Sequence, residues 1–258
     1  MRQFVSAEEP ENGMIRVRGK DFRYLRSVLR LKAGDMLSVR TPSGALLATT
    51  VAGIDDDARK ITLSVCSTIG DGADCANGEN IPAERLKEIT LFMFVPKPSK
   101  FEQIVRQACE CGVARIVPVA SEFSQKGAER MDFKGERFAR ILKEARQQSG
   151  SAVETVVEKC VSFDGAISMW REMRGDGSVA FVMYERSEFT VPMADAVAGK
   201  YVGKAALFVG AEGGISPREI DALRNEGVIP VHFRTNILRC ETAAIYGIAV
   251  MQNLIEGM

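Results

Sequence analysis

Two short stretches of this chain carry residue types whose spacing can support chemistry. The first is Gly210-Ala211-Glu212-Gly213-Gly214, which follows the apolar run KAALFV. Glycines there let a backbone approach a ligand closely. The pattern is neither G-x-G-x-x-G nor a P-loop, because no Lys-Ser/Thr pair follows to cradle phosphates. Glu212 would repel a polyphosphate at short range and tolerate a neutral or cationic ligand. A strand-to-helix turn of purely structural purpose would use the same glycines. The second stretch is Asn236-Ile237-Leu238-Arg239-Cys240-Glu241-Thr242-Ala243-Ala244. Arg239 and Glu241 stand two apart just ahead of a helix, so they either project into one cleft or form a surface ion pair worth little.

Other reactive residues are sparse. His232 is the only histidine and lies in the apolar run VIPVHF, which reads as a packed strand histidine. Cys66, Cys75, Cys109, Cys111, Cys160 and Cys240 form no CxxC pair and have no histidine companions, so reduced, mostly buried thiols are expected. No metal site is expected.

The elements that must position the two stretches follow from hydrophobic pattern. From Ile89 onward strand-like runs alternate with amphipathic helices: ITLFMFV, a helix from Lys100, ARIVPV, a helix over Glu136 to Gln148, AVETVV, SVAFVMY, KAALFVG, a helix from Pro217, VIPVHF, and a closing helix from about Thr242. This predicts a mainly parallel sheet covered on both faces. Ligands in such sheets bind at the carboxyl ends of strands, where KAALFVG delivers the glycine turn. Ser216-Pro217-Arg218-Glu219 reads as a capping box with proline at N1 and an Ile215–Ile220 staple. Ser99-Lys100-Phe101-Glu102 reads as a second capping box, with Gly112 closing that helix. Ala243, Ala244 and Gly247 permit close packing of the last helix.

Ahead of this, GMIRV, DMLSV, ALLATTVAGI and KITLSVC predict a small β-rich module. In its helical segment DFRYLRSVLRL, Phe22, Leu25, Val28 and Leu29 share one face, and Arg23, Arg26 and Arg30 an adjoining one. The stretch from Ser67 to Asn80 is rich in Gly, Asp and Asn and reads as a linker. The expected division is therefore 1–70, a linker at 71–88, and 89–258.

Lys plus Arg and Asp plus Glu both number 34, so the whole molecule exerts no long-range pull on phosphate, and any nucleic-acid partner needs a local basic patch. No run reaches the roughly eighteen apolar residues of a membrane span, and MRQFVSAEEP lacks a secretory apolar core. A cytoplasmic protein is expected.

Five segments carry a resemblance. FVGAEGGISPREI is similar to a GPEGG-F-S-x-x-E motif, and ILRCETAA to LR-T-E-T-A. YLRSVLRLKAGD, PSKFEQIVRQACECGVARIVPVASEFS and KEARQQSGS match three further elements in the same order. Together they resemble the ribosomal small-subunit RNA methyltransferase E family of the SPOUT superfamily along nearly the whole chain. The chain departs from that pattern at Ala211 (usually proline), Cys240 (threonine), Tyr24 (histidine), Phe123 (often arginine) and Ser151 (arginine).

That resemblance implies a PUA-like β-barrel ahead of an α/β SPOUT domain whose C-terminal segment threads a trefoil knot. It implies S-adenosylmethionine as cofactor, held by the loop after FVMYERS and by Val209, Gly210, Glu212, Gly213, Gly214, Ile237, Leu238, Thr242 and Ala243. The implied reaction is methylation at N3 of a uridine in small-subunit (16S) ribosomal RNA. Glu241 would take the ring proton, position the base or brace the knot, and Arg239 would hold developing charge. Arg2, Arg26 and Arg30 of the barrel, with Lys97, Lys100 and Lys126, would gather RNA, and the protein would act as a homodimer. Two alternatives stay open: an RNA-binding assembly factor that keeps the pocket without catalysis, and a nucleotide-dependent α/β enzyme.

Overall fold

A computed structural model describes residues 3–69, 88–185, 189–198, 202–233 and 235–256. Arg2, and all of the expected linker at 71–88 except Glu88, lie outside them. The chain divides into two compact units, Met1–Pro82 with Arg146–Ala152, and Ala83–Ala145 with Val153–Met258.

In the smaller unit β1 (Gln3–Val5), β2 (Met14–Arg18), β3 (Met36–Arg40), β4 (Leu46–Asp55) and β5 (Lys60–Thr68) form one sheet in the order β1-β3-β4-β5-β2. Among the described residues only β1 and β3 pair in parallel there. Alternation sets the core: β2 buries Ile15 and Val17 and exposes Met14, Arg16 and Arg18. The short β1 is not apparent from pattern. It is anchored by Gln3, whose amide accepts from Arg40 and donates to the Arg146 and Ser151 carbonyls. The helical segment differs from expectation. α1 (Gly19–Arg23) passes into a π-helical turn over Tyr24–Val28, and Arg30 adopts φ +57°. Leu29 N–H donates to the Tyr24 carbonyl at 3.0 Å, five residues back. That widening breaks the register that would align Arg23, Arg26 and Arg30 on one α-helical face.

The larger unit is built on an eight-stranded sheet in which every strand pairing among the described residues is parallel. Its strands are β6 (Glu88–Phe94), β7 (Arg115–Ala120), β8 (Val156–Val157), β9 (Val161–Ser162), β10 (Ser178–Met183), β11 (Val191–Pro192), β12 (Lys204–Val209) and β13 (Ile229–His232). The order is β11-β13-β10-β12-β6-β7-β8, with β9 also on β7. Period-two alternation sends Leu91, Met93 and Leu207 to one face. Phe92, Phe94 and Phe208 go to the other, where Phe92 and Phe208 stack at 4.3 Å across paired strands. The first face is covered by α2 (Pro98–Glu110), α3 (Glu136–Ser149), α5 (Met193–Val197) and α7 (Cys240–Glu256). The second is covered by α4 (Phe163–Met173) and α6 (Pro217–Asn225).

Two helix starts test the capping readings. α6 has the expected box: Ser216 Oγ accepts from Glu219 N–H and Glu219 Oε2 from Ser216 N–H. α2 does not begin with a box at Ser99. Proline at N1 starts it at Pro98, with Lys97 as N-cap and no side-chain cap. Gly112 follows this helix with φ +78°, as expected of C′. α7 lies close over the sheet because a Cβ at Gly247 would come within 2.9 Å of Leu207 Cδ2. Among the described residues no helix is long and apolar enough to cross a membrane.

Candidate functional site

The carboxyl ends of β10, β12 and β13 lie side by side near the middle of the large sheet, and the loops that leave them enclose a cavity of about 380 Å³. That size falls within the range of small-molecule sites. Of the residues the sequence marks for cofactor contact, Val209, Gly210, Glu212, Gly213, Gly214, Ile237, Leu238 and Ala243 line it. Thr242 is exposed one step away and does not. Arg239 lines the cavity, whereas Glu241 reaches its edge through Lys100. The two stretches, far apart in sequence, thus meet because β12 and β13 flank β10 in one sheet.

The glycine turn owes its glycines to contacts within the protein, which differs from the open approach expected from sequence. Gly214 N–H donates to the Ala211 carbonyl at 2.9 Å, and Gly214 has φ +78°. A Cβ at Gly210 would lie 2.6 Å from the Gly214 carbonyl oxygen, so the turn closes onto its own first residue. At Gly213 a Cβ would lie 2.8 Å from Phe123 Cβ. The ligand space is therefore bounded by a turn packed tightly on both sides.

Charge is arranged around one lysine. Lys100 Nζ lies 3.1 Å from Glu241 Oε2 and 3.6 Å from Glu212 Oε1, joining the glycine turn to the start of α7. Lys97 N–H donates to the same Glu212 oxygen at 3.3 Å. The hydrogen bond to Glu241 raises the Lys100 pKa, helped by the nearby carboxylates against partial burial. For Glu241 burial acts first and upward, yet its own backbone N–H, the Cys240 thiol and Lys100 together outweigh it, so its pKa falls below the usual value near 4.5. The Cys240 thiol donates to Glu241 Oε2 at 3.2 Å, and burial pushes its pKa up to about 12, leaving it a packed, unreactive thiol.

Several lining residues escape sequence reasoning. Glu185, just beyond β10, faces the turn and would lie 3.7 Å from a Cβ on Gly214. His232 ends its strand at the cavity with Nδ1 2.7 Å from Thr190 Oγ1, so it is more than a packed strand histidine. Phe233, Thr235 and Asn236 complete that side. A carboxylate or histidine immediately after a buried strand is the available signal, but only the strand order says which strand ends share a cavity. No group of acidic, histidine and cysteine residues among those described can hold a metal.

The expected RNA contacts are placed unevenly. Lys97 and Lys126 are exposed, and Arg30 is exposed in the smaller unit. Arg26 is held by Asp56 through two hydrogen bonds of 3.0 and 3.1 Å. Lys100 is a cavity residue engaged by carboxylates.

Comparison with known proteins bears directly on this cavity. The model of an RNA methyltransferase domain matches residues 83–252. The chain belongs to that family. A relative from Borreliella burgdorferi, ribosomal RNA small subunit methyltransferase E 2, is 26% identical over 99% of this chain and 98% of its own length. Ribosomal RNA small subunit methyltransferase E from Aquifex aeolicus is 32% identical over 65% of this chain and 69% of its own. Among solved structures, ribosomal RNA small subunit methyltransferase E from Neisseria gonorrhoeae, bound to S-adenosyl methionine, superposes with a TM-score of 0.78 at 21% identity, covering 98% of each chain. The likeness in fold to that structure covers residues of both units, and the glycine turn and the Arg239–Glu241 corner lie inside the region that the family model matches.

Proposed function

We propose that this protein transfers a methyl group from S-adenosylmethionine to N3 of a uridine in small-subunit (16S) ribosomal RNA. The observation that carries the reading is the meeting of the Gly210–Gly214 turn with Ile237–Ala243 around one cavity, in a chain of the RNA methyltransferase family. Two relatives named as small-subunit methyltransferases align over 99% of this chain and over 98% and 78% of their own lengths.

The lining fits such a cofactor. Val209, Val231, Ile237 and Leu238 supply apolar surface for a ring, while Glu185 and Glu212 offset a positive charge and disfavour a polyphosphate. When bound, S-adenosylmethionine supplies an electrophilic methyl group on a sulfonium. The protein's own task is alignment, exclusion of water and control of charge. Loss of the N3 proton leaves negative charge on the neighbouring carbonyl oxygens of the uracil. Among the described residues, Lys100, fixed between Glu212 and Glu241, and Arg239 on the cavity wall are cations within the site that can meet that charge. Glu241 suits the role of holding Lys100 better than that of storing the proton, because its lowered pKa makes it a weak base.

The reading further includes a PUA-like barrel formed by the N-terminal strands, the domain limits 1–70 and 89–258, a trefoil knot threaded by the C-terminal segment, and a cytoplasmic homodimer. The resemblance of the five sequence segments supports these features. RNA would be gathered by Arg2, Arg30, Lys97 and Lys126.

The test is transfer of labelled methyl from S-adenosylmethionine to small-subunit RNA or isolated small subunits. Label at a uridine that blocks reverse transcription is the expected result. Cofactor binding without transfer would match the assembly-factor alternative. Heat protection by ATP or NAD, with none from S-adenosylmethionine, would match a nucleotide-dependent enzyme.

A further inference from the structure

Phe123 stands where a β-turn leaves β7, and its surroundings are unusual for a phenylalanine. The residue is 43% exposed, yet the root of its side chain is pressed against Gly213 of the glycine turn, where a Cβ would come within 2.8 Å of Phe123 Cβ. The other exposed phenylalanine among the described residues, Phe189, has a cation over its ring, from Arg224 at 4.8 Å. Among the described residues the Phe123 ring has no aromatic or cationic partner.

The turn that carries this ring is tied down by hydrogen bonds. Ser124 Oγ accepts from Ser121 N–H at 3.1 Å and donates to the Val119 carbonyl at 3.0 Å. Gln125 N–H donates to the Val95 carbonyl at 2.8 Å. Glu122 N–H donates to Glu219 Oε1 at 3.0 Å, while the other oxygen of Glu219 closes the capping box of α6. That carboxylate is only 4% exposed, so one buried group fixes both the helix that follows the glycine turn and the turn that carries Phe123. The backbone at Phe123 is thereby held beside Gly213, a residue of the cavity wall.

We infer that Phe123 is the platform on which the target nucleobase stacks when it is swung out of the RNA toward the cavity. This rests on the reading of the cavity as a methyl-donor site. A flipped base needs a planar apolar surface to replace the stacking it leaves, and an exposed aromatic ring anchored at its root can provide one.

The experiment compares wild type with Phe123→Trp, Phe123→Leu and Phe123→Ala, using transcribed small-subunit RNA. It measures methyl-transfer kinetics, equilibrium RNA binding with S-adenosylhomocysteine present, affinity for S-adenosylmethionine, and mass in solution. The expected result is unchanged cofactor affinity in all variants, near-complete retention of RNA binding and kcat/KM with tryptophan, and losses of about ten-fold with both leucine and alanine. Leucine as good as phenylalanine, or loss of cofactor affinity across the series, would overturn the inference. A change in subunit mass on Phe123→Ala would reassign the ring to contact with a second copy. If wild type binds the RNA but transfers no methyl group, the catalytic reading fails while the binding series still decides the role of Phe123; if it does not bind, both fail.

Discussion

The glycine corner and the N-terminal arginine segment both look informative in sequence, but the fold treats them in opposite ways. In the Gly210–Gly214 turn the glycines at both ends are demanded by backbone geometry, through the positive φ at Gly214 and the closure of the turn on Gly210. In the segment Gly19–Arg30 nothing local enforces the α-helical spacing, and a π-helical turn replaces half of it. One of its arginines is then taken up by Asp56, thirty residues away. Glycine and capping patterns specify position because only one backbone satisfies them. A row of surface charges specifies little, since long side chains find partners that spacing does not foresee.

The sharpest way to break this contrast is at Gly210. Gly210→Ala puts a methyl against the Gly214 carbonyl and Ile215, neither of which can swing aside. A stability loss of about 1–3 kcal/mol by thermal unfolding and loss of detectable S-adenosylmethionine binding by calorimetry are expected. Normal binding would mean that the turn is not a wall of the cofactor site. Glu219→Ala removes the acceptor for Ser216 and Glu122 N–H, and about 1–3 kcal/mol of destabilisation should follow from buried donors left unpaired. A loss under about 0.5 kcal/mol, the usual scale of an unremarkable surface change, would contradict that bracing role.

The Lys100–Glu241 pair gives a pH test. Glu241 has its folded pKa lowered, so its contribution to stability is present above the ordinary glutamate value and is lost as pH falls through the lowered one. Lys100 has its folded pKa raised, so its contribution is present below the ordinary lysine value near 10.5 and is lost only above that. The melting-temperature gap between wild type and Glu241→Gln should be steady through neutral pH and close in acid. A gap that persists at the lowest pH would assign the effect to packing. Lys100→Met should slow methyl transfer more than it weakens cofactor binding; equal losses would make Lys100 a binding group only.

The smallest effects belong to the arginine segment. Arg30→Ala should reduce the salt slope of RNA binding by about one, whereas Arg26→Ala should change it less, because Asp56 already neutralises that guanidinium. Equal effects would mean that RNA displaces Asp56.

Much of the larger unit is legible in sequence because its strands are apolar on both sides and its helices are not. Ser216-Pro217-Arg218-Glu219 gives the first residue of α6, since three independent local preferences agree. Ser99 misleads, because Pro98 is a better first helical residue than Ser99 is a cap. α4 goes unseen in the pattern despite Phe163, Ala166, Ile167 and Trp170 at helical spacing, for Gly165 interrupts its first turn. AVETVV yields only the two residues of β8, as the buried Thr155 hydroxyl donates to the Val113 carbonyl. In the site, Glu185, His232 and the second bond of Glu219 depend on which strands are neighbours, information that no local window contains.

The central claim is that the glycine corner and the Arg239–Glu241 corner together serve methylation of small-subunit RNA. Its most direct test is reverse transcription across that RNA from cells lacking this protein, complemented with wild type or with Gly210→Ala. Methylation at N3 blocks base pairing and leaves a stop. The stop should vanish in the deletion, return with wild type, and stay absent with Gly210→Ala. Small-subunit RNA whose uridine stops are identical with and without the protein would contradict the account.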